Sequence, residues 1–189
     1  ILRGARLALG AFGVQLGVTG LVQFGKEVIQ TGMEMEAMRT ATNTLSGGIR
    51  AGSENFVFLQ ERAYRLGFGV KGLIADFNGL QAATRGTTLE GEKTRAIFDA
   101  VTSAARVMGS SHQQVHSALL ALEQMVSKGT VSMEELRRQL GNAIPGAFEI
   151  AARAMGVSTQ ELNRMVRAGE VMADDFLPKF ARQLQRELG

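Results

Sequence analysis

The sequence predicts an all-α protein: a bundle of short helices with tight glycine turns, preceded by a Gly-rich hydrophobic helical arm. Three observations carry this. Apolar positions recur at steps of three and four through nearly the whole chain. Ser/Thr-x-x-Glu/Gln pairs punctuate the helix starts. No run alternates with period two for long enough to need a sheet. The 23 glycines against only two prolines fit glycine-stopped helices or close helix packing better than a Pro-rich linker. A hydrophobic fraction of 45% with 21% charged residues argues against wholesale disorder.

The arm is expected over residues 1–48 and the helical domain over 49–189. Within the arm, Leu7 to Gly25 holds 19 residues without a charge, bounded by Arg6 and Lys26. That length could just span a bilayer, but Gln15, Thr19, Gln23 and the glycines suit hydrocarbon poorly. Gly10, Gly13, Gly17 and Gly20 lie on one helix face and would let a second backbone approach closely. Glycine weakens an isolated helix by about 1 kcal/mol per residue relative to alanine, so a packing or self-associating partner is expected.

From Ser53 onward, Phe56, Leu59, Ala63 and Leu66 form one stripe, and Val70, Leu73, Ile74, Phe77 and Leu80 a second, ended by Gly86. Thr87 and Glu90 read as a capping box opening a third helix, which carries Ile97, Val101, Ala104 and Met108 inward. Ser111 and Gln114 open the next, with Val115, Leu119, Leu122 and Val126 inward and Gly129 as stop. Ser132–Glu135 and Ser158–Glu161 read as further capping boxes. Pro145 suits the first position of a helix, and Pro178 a first turn after Asp174.

The stretch "GTVSMEELRRQLGNAIPGAF", Gly129 to Phe148, thus starts a helix carefully and stops it at a Pro-Gly. Leu136 and Leu140 give the first helix an apolar edge; Ile144, Phe148, Ala151 and Met155 give the second one. Pro145 forbids a continuous helix because its ring clashes with the preceding turn. Two short helices at an angle can bury both edges against a third element.

Candidate chemistry is sparse. The absence of cysteine excludes disulfides, thiol catalysis and cysteine zinc sites. "HQQVH" places His112 and His116 one helical turn apart, but Gln113 stands where a zinc hydrolase needs its Glu, and no other histidine exists. The expected reading is a pair of exposed helix residues. "GFGVKG", Gly67 to Gly72, matches a dinucleotide fingerprint but follows an amphipathic helix, so it reads as a helix–helix turn. Glu134–Glu135 and Asp174–Asp175 fall in first turns, where they favour the helix dipole. No nucleophile has a base beside it, so no catalytic residue, metal or cofactor is expected.

"MGVSTQELNRMVRAGEV", Met155 to Val171, also reads as a DNA-binding helix-turn-helix, with Arg164 and Arg167 toward phosphates or base edges. Leu162, Met165 and Val166 occupy the apolar face, leaving few polar groups to read bases. Lys/Arg outnumber Asp/Glu 9 to 6 up to Thr88 and balance 12 to 12 afterwards. A dedicated nucleic-acid binder would carry a denser basic patch. The start at Ile1 suggests a fragment or processed piece.

The same residues resemble a known family. "GTVSMEELRRQLGNAIPGAFEIAARAMGVSTQELNRMVRAGEVMADDFLPKFARQL", Gly129 to Leu184, looks like the N-terminal tape measure domain of tailed-phage and prophage tail proteins. The shared features are the Ser-x-Glu-Glu-Leu-Arg-x-Gln-Leu opening, the Pro-Gly-Ala-Phe start, the Met-Gly-Val turn, the Leu-x-x-Met-Val-x-x-Gly-Glu-Val helix and the closing Asp-Phe-Leu-Pro. The likeness reaches upstream to about Ala51 and is weaker before it.

The resemblance implies a structural, non-enzymatic role. Tape measure proteins are long, mostly helical chains around which the tail tube polymerises, and their length sets tail length. They are kept soluble by tail assembly chaperones, occupy the tube lumen, and leave it when DNA is delivered. The implied partners are tail tube subunits, chaperones and other copies of the chain. No small-molecule substrate or cofactor is implied, nucleic acid is not expected, and membrane contact would be transient, during DNA ejection. The implied location is the virion tail, and the host cytoplasm during assembly. Arg137, Arg138, Arg153, Arg164 and Arg167 are the candidate protein contacts; Gly10, Gly13, Gly17 and Gly20 are the candidate helix-packing positions. The alternatives are a helix-turn-helix regulator and a membrane-inserting helical segment.

Overall fold

A computed structural model describes residues 18–189, with side chains described from residue 31. Gly10, Gly13 and Gly17 lie outside the described residues; Gly20 falls in the first helix, with its surroundings outside them. The described chain is all-α: α1 (Val18–Leu45), α2 (Ile49–Leu66), α3 (Val70–Thr84), α4 (Glu92–Val107) and α5 (His112–Lys128) come first. A π-helical segment, Glu134–Leu140, then runs into the one-turn α6 (Gly141–Ala143). After it come α7 (Ala147–Met155), α8 (Thr159–Arg167) and α9 (Ala173–Leu188). Among the described residues the one β-like feature is a single antiparallel bridge between Thr130 and Met172. Two compact units divide the chain, Ile1–Ala37 and Met38–Gly189.

Within the second unit the apolar stripes close one core. Leu59, Leu73, Ile74, Phe77, Leu80, Ile97, Phe98, Val101, Val115, Leu119 and Leu122 are all buried. Phe77 and Phe98 meet edge to face at 5.1 Å, the arrangement the aromatic quadrupole favours. Helix α5 sits in the middle, packed against α3, α4, the π segment, α6 and α9. Helix α9 closes the far side on α4 and α7, with Phe176 and Phe180 buried and stacked at 5.2 Å. Met108, expected inward, is 37% exposed because it lies beyond the end of α4.

Several helix starts differ from expectation for local reasons. Ser111 and Gln114 form the full capping box. At Ser158 half the box forms: its hydroxyl accepts the Glu161 amide, while the Glu161 carboxylate turns to Arg164. Thr87 and Glu90 cap no helix. The Glu90 carboxylate takes the Gly86 amide and the Thr87 hydroxyl takes that of Leu89, which builds a turn ahead of α4. Pro145 does not begin a helix either. Ile144 to Ala147 form a turn closed by the Ala147 amide on the Ile144 carbonyl at 2.9 Å, with Gly146 at φ 84°, ψ 6°. Those angles are the glycine position of a type II turn, with proline at its preferred place before it. Pro178 stands inside α9, past its first turn.

Candidate docking surface

The stop at Ile144 has a structural consequence that explains the Pro-Gly. Ending a helix orphans its last carbonyls. Here the carbonyl of Asn142 accepts the Gln114 side-chain amide at 2.9 Å, and that of Ala143 accepts the Ser110 hydroxyl. Ser110 and Gln114 belong to the start of α5, so one helix end is tied directly to another helix start. The bridge at Thr130 makes a second tie: the Val131 amide donates to Val171 and the Ala173 amide to Gly129, joining the π segment's entry to the start of α9. Together they tie the entry of the π segment to the start of α9 and the end of α6 to the start of α5.

At the start of the π segment the expected Ser132–Glu135 capping box is replaced by a buried charge pair. Ser132 donates to the Glu135 carboxylate instead of accepting a backbone amide, and Lys128 from the end of α5 donates to the other carboxylate oxygen. The Glu135 side chain is 1% exposed and that of Lys128 54%. Burial pushes the Glu135 carboxyl up, but the Lys128 and Ser132 hydrogen bonds outweigh it and hold the group below its ordinary value. A local sequence pattern cannot distinguish the two outcomes, because Lys128 joins the site only through the fold.

The five arginines lie on this same C-terminal part, each with a partner inside the chain. The guanidinium of Arg137 stands 4.6 Å from the Phe148 ring centre, linking the π segment to α7. Arg138 pairs with Glu134 at 3.3 Å. Arg153 makes a two-pronged contact with Glu187, both arms at 2.7 Å, linking α7 to α9. Arg164 reaches Glu161 at 2.8 Å and Glu170 at 3.0 Å, and Arg167 donates to Asn163 at 2.8 Å. The hydrogen bonds that Arg164 donates to Glu161 and then to Glu170 raise its pKa further. All five remain exposed at the surface.

This bears on the helix-turn-helix reading. Helices α7 and α8 do form a helix–turn–helix, but Arg164 is held between two carboxylates rather than presented to a phosphate, and Arg167 is drawn to Asn163. Among the described residues no helix is long and apolar enough to cross a membrane.

The other motifs resolve into packing. In "GFGVKG", Gly67 ends α2 in the left-handed conformation, Gly69 precedes α3, and Gly72 faces the His112 ring. No group of three or more potential metal ligands gathers among the described residues. His116 is more than an exposed helix residue, since its Nδ1 lies 2.5 Å from the buried Asp76 carboxylate.

An all-α helical bundle, charged outside and tied together by helix-end hydrogen bonds, is thus what the fold and surface define. The comparisons give it a family. Residues 26–188 match the family described as tape measure protein, and the chain belongs to that family. It is 26% identical over 164 residues to a probable tape measure protein of Salmonella phage Felix O1 (isolate Felix O1-VT1), an alignment covering 87% of this chain. The chain spans 22% of that relative's length. No solved structure gives a significant match. Membership supports a structural role in a phage tail.

Proposed function

We propose that this chain is the docking module of a tail-length ruler: a piece of a tape measure protein that sets tail length and scaffolds tube assembly through helix-mediated contacts. The observation that carries the reading is the family match over residues 26–188, coinciding with a compact helical body whose helix ends are locked by Ser110, Gln114 and the Thr130–Met172 bridge. A rigid knob of this kind suits the end of a long helical chain that must be seized by other proteins.

In this reading Arg137, Arg138, Arg153, Arg164 and Arg167 contact tail tube subunits or assembly chaperones from their exposed edges. The glycine face of Gly10, Gly13, Gly17 and Gly20 packs against other copies of the chain. The protein then occupies the tube lumen in the virion, and the host cytoplasm while tails assemble.

The test uses the parent gene. An in-frame deletion of about 100 residues of helical chain downstream of this module shortens tails by about 150 Å at 1.5 Å per helical residue, read by negative-stain electron microscopy. Tails of unchanged length defeat the ruler, and binding of duplex DNA by Met155–Val171 then becomes the first idea to test.

A further inference from the structure

Helices α2 and α4 run side by side in the same direction, and arginines line the seam between them. At one end Arg95 donates to the Glu54 carbonyl and stands 4.4 Å from the Phe58 ring centre. Next, Arg62 stands 5.4 Å from the same ring and donates to Asp99 at 2.8 Å. Arg65 follows on α2 and adds its positive field at Asp99. At the far end the Arg106 guanidinium lies beside Gly67, where α2 stops. Phe58 is itself anchored in the core, its ring centre 6.4 Å from those of Phe77 and Phe98. A guanidinium laid on an aromatic face has lost much of its rotamer freedom before any partner arrives.

The row holds more positive charge than the chain answers. Arg62 is matched by Asp99, and both side chains are half-buried. Arg95 leans on Glu92 at 3.6 Å, a loose pair whose glutamate is 90% exposed. Arg65 and Arg106 are exposed and have no ion-pair partner among the described residues. Arg153 and Arg164, by contrast, find carboxylates within the chain. From Arg95 to Arg106 the row follows about three turns of α4, or about 16 Å. A groove of that length between two helices suits a third helix, and the guanidinium fork suits carboxylates. A continuous phosphate backbone suits it less, because Asp99 stands within the row and Glu61 and Glu92 adjoin it.

We propose that the α2–α4 seam is a docking surface for an acidic helical segment of a partner protein. Arg65 and Arg106 take its carboxylates, and Arg62 and Arg95, held on Phe58, line the groove between them. The charges are complementary, and the two exposed guanidiniums give up no internal ion pair when the partner arrives. The surface shares no residue with the five C-terminal arginines assigned above to tube or chaperone contact. It stands whether or not the chain measures tail length.

The experiment titrates the 189-residue chain, at low salt, into a labelled helical peptide of about three turns with glutamates three and four residues apart. The same peptide with glutamine for glutamate, and a single-stranded oligothymidylate of equal charge, are measured beside it. The acidic peptide is expected to bind, more weakly as salt rises, and the glutamine peptide not to bind. Replacing both exposed arginines, Arg65→Gln with Arg106→Gln, weakens binding about tenfold, the scale of two exposed ion pairs. Arg167→Gln leaves it unchanged. Amide shift mapping on the unmutated chain decides independently of variant folding, with changes expected along α2 and α4. Shifts confined to Arg137–Arg167, an unchanged affinity in the double variant, or equal binding of the glutamine peptide overturns the proposal. Tighter binding of the oligothymidylate overturns it in favour of nucleic acid.

Discussion

The hydroxyl of Ser110 donates to the carbonyl of Ala143, 33 residues away, and both groups are buried. The turn at Ile144 draws the Ala147 amide to the Ile144 carbonyl and leaves that of Ala143 without a helical partner, and Ser110 is what answers it. Ser110→Ala therefore strands a buried acceptor. The expected cost is about 1–3 kcal/mol, read as a lower urea midpoint with an unchanged slope. Ser110→Thr keeps the donor and costs less. Equal losses in the two variants would mean that packing around Ser110, not the hydrogen bond, holds the helix end.

Glu135 gives an acid-sensitive counterpart. Its carboxyl is held below the ordinary value because the Lys128 and Ser132 hydrogen bonds outweigh burial. A depressed folded pKa contributes stability above the unfolded pKa, and that contribution disappears as pH falls through the folded one. Acid unfolding monitored by circular dichroism should therefore be shallower in Glu135→Gln than in the unmutated chain below about pH 4.5. Lys128→Met, which leaves the carboxylate buried with Ser132 alone, should cost about 2 kcal/mol at pH 7.

How far the sequence could lead depends on the range of the interaction concerned. Stripes such as Leu73–Ile74–Phe77–Leu80 and Val115–Leu119–Leu122 were legible because one helix face carries its own period, and all these residues are buried. Glycine stops at Gly109 and Gly129 were legible for the same local reason. Thr87–Glu90 and Ser132–Glu135 match the capping pattern equally well, yet one pair folds a turn and the other answers a lysine. What separates them is a group brought in by the fold. His116 and Asp76, 40 residues apart, were out of reach for that reason. The arginines are exposed, and partners such as Glu187 for Arg153 come from other helices, beyond the reach of a local pattern.

The Arg153–Glu187 contact predicts a spectroscopic signature. The two-pronged hydrogen bond from Arg153, followed by that from Gln183, pulls the Glu187 carboxyl down to about 2. A carbon-13 titration should place its midpoint there in the unmutated chain and return it toward 4.5 in Arg153→Gln. The pair lies near the surface, so solvent screening keeps its effect on overall stability small. Its stabilising contribution is present above pH 4.5 and lost as pH falls toward 2. A Glu187 midpoint unmoved by the substitution would show that the α7–α9 link is not populated in solution.

Two glycines in helices separate close backbone approach from mere side-chain crowding. A Cβ on Gly52 would overlap the Asn43 backbone at Cα, and the Asn43 Cγ lies 2.9 Å away. Backbone cannot yield without shifting the turn that joins α1 to α2, where the Gly48 amide donates to the Asn43 carbonyl at 2.9 Å. Gly52→Ala should therefore cost about 1–3 kcal/mol despite alanine's better helix propensity. The nearest atoms that a Cβ on Gly72 would meet belong to the His112 ring, which is exposed and can rotate away. There the propensity gain of up to about 1 kcal/mol offsets the displacement, and Gly72→Ala should be close to neutral. Thermal midpoints of the two variants, measured side by side, decide the point. A Gly52→Ala chain as stable as the unmutated one would mean that α1 and α2 do not meet at Asn43.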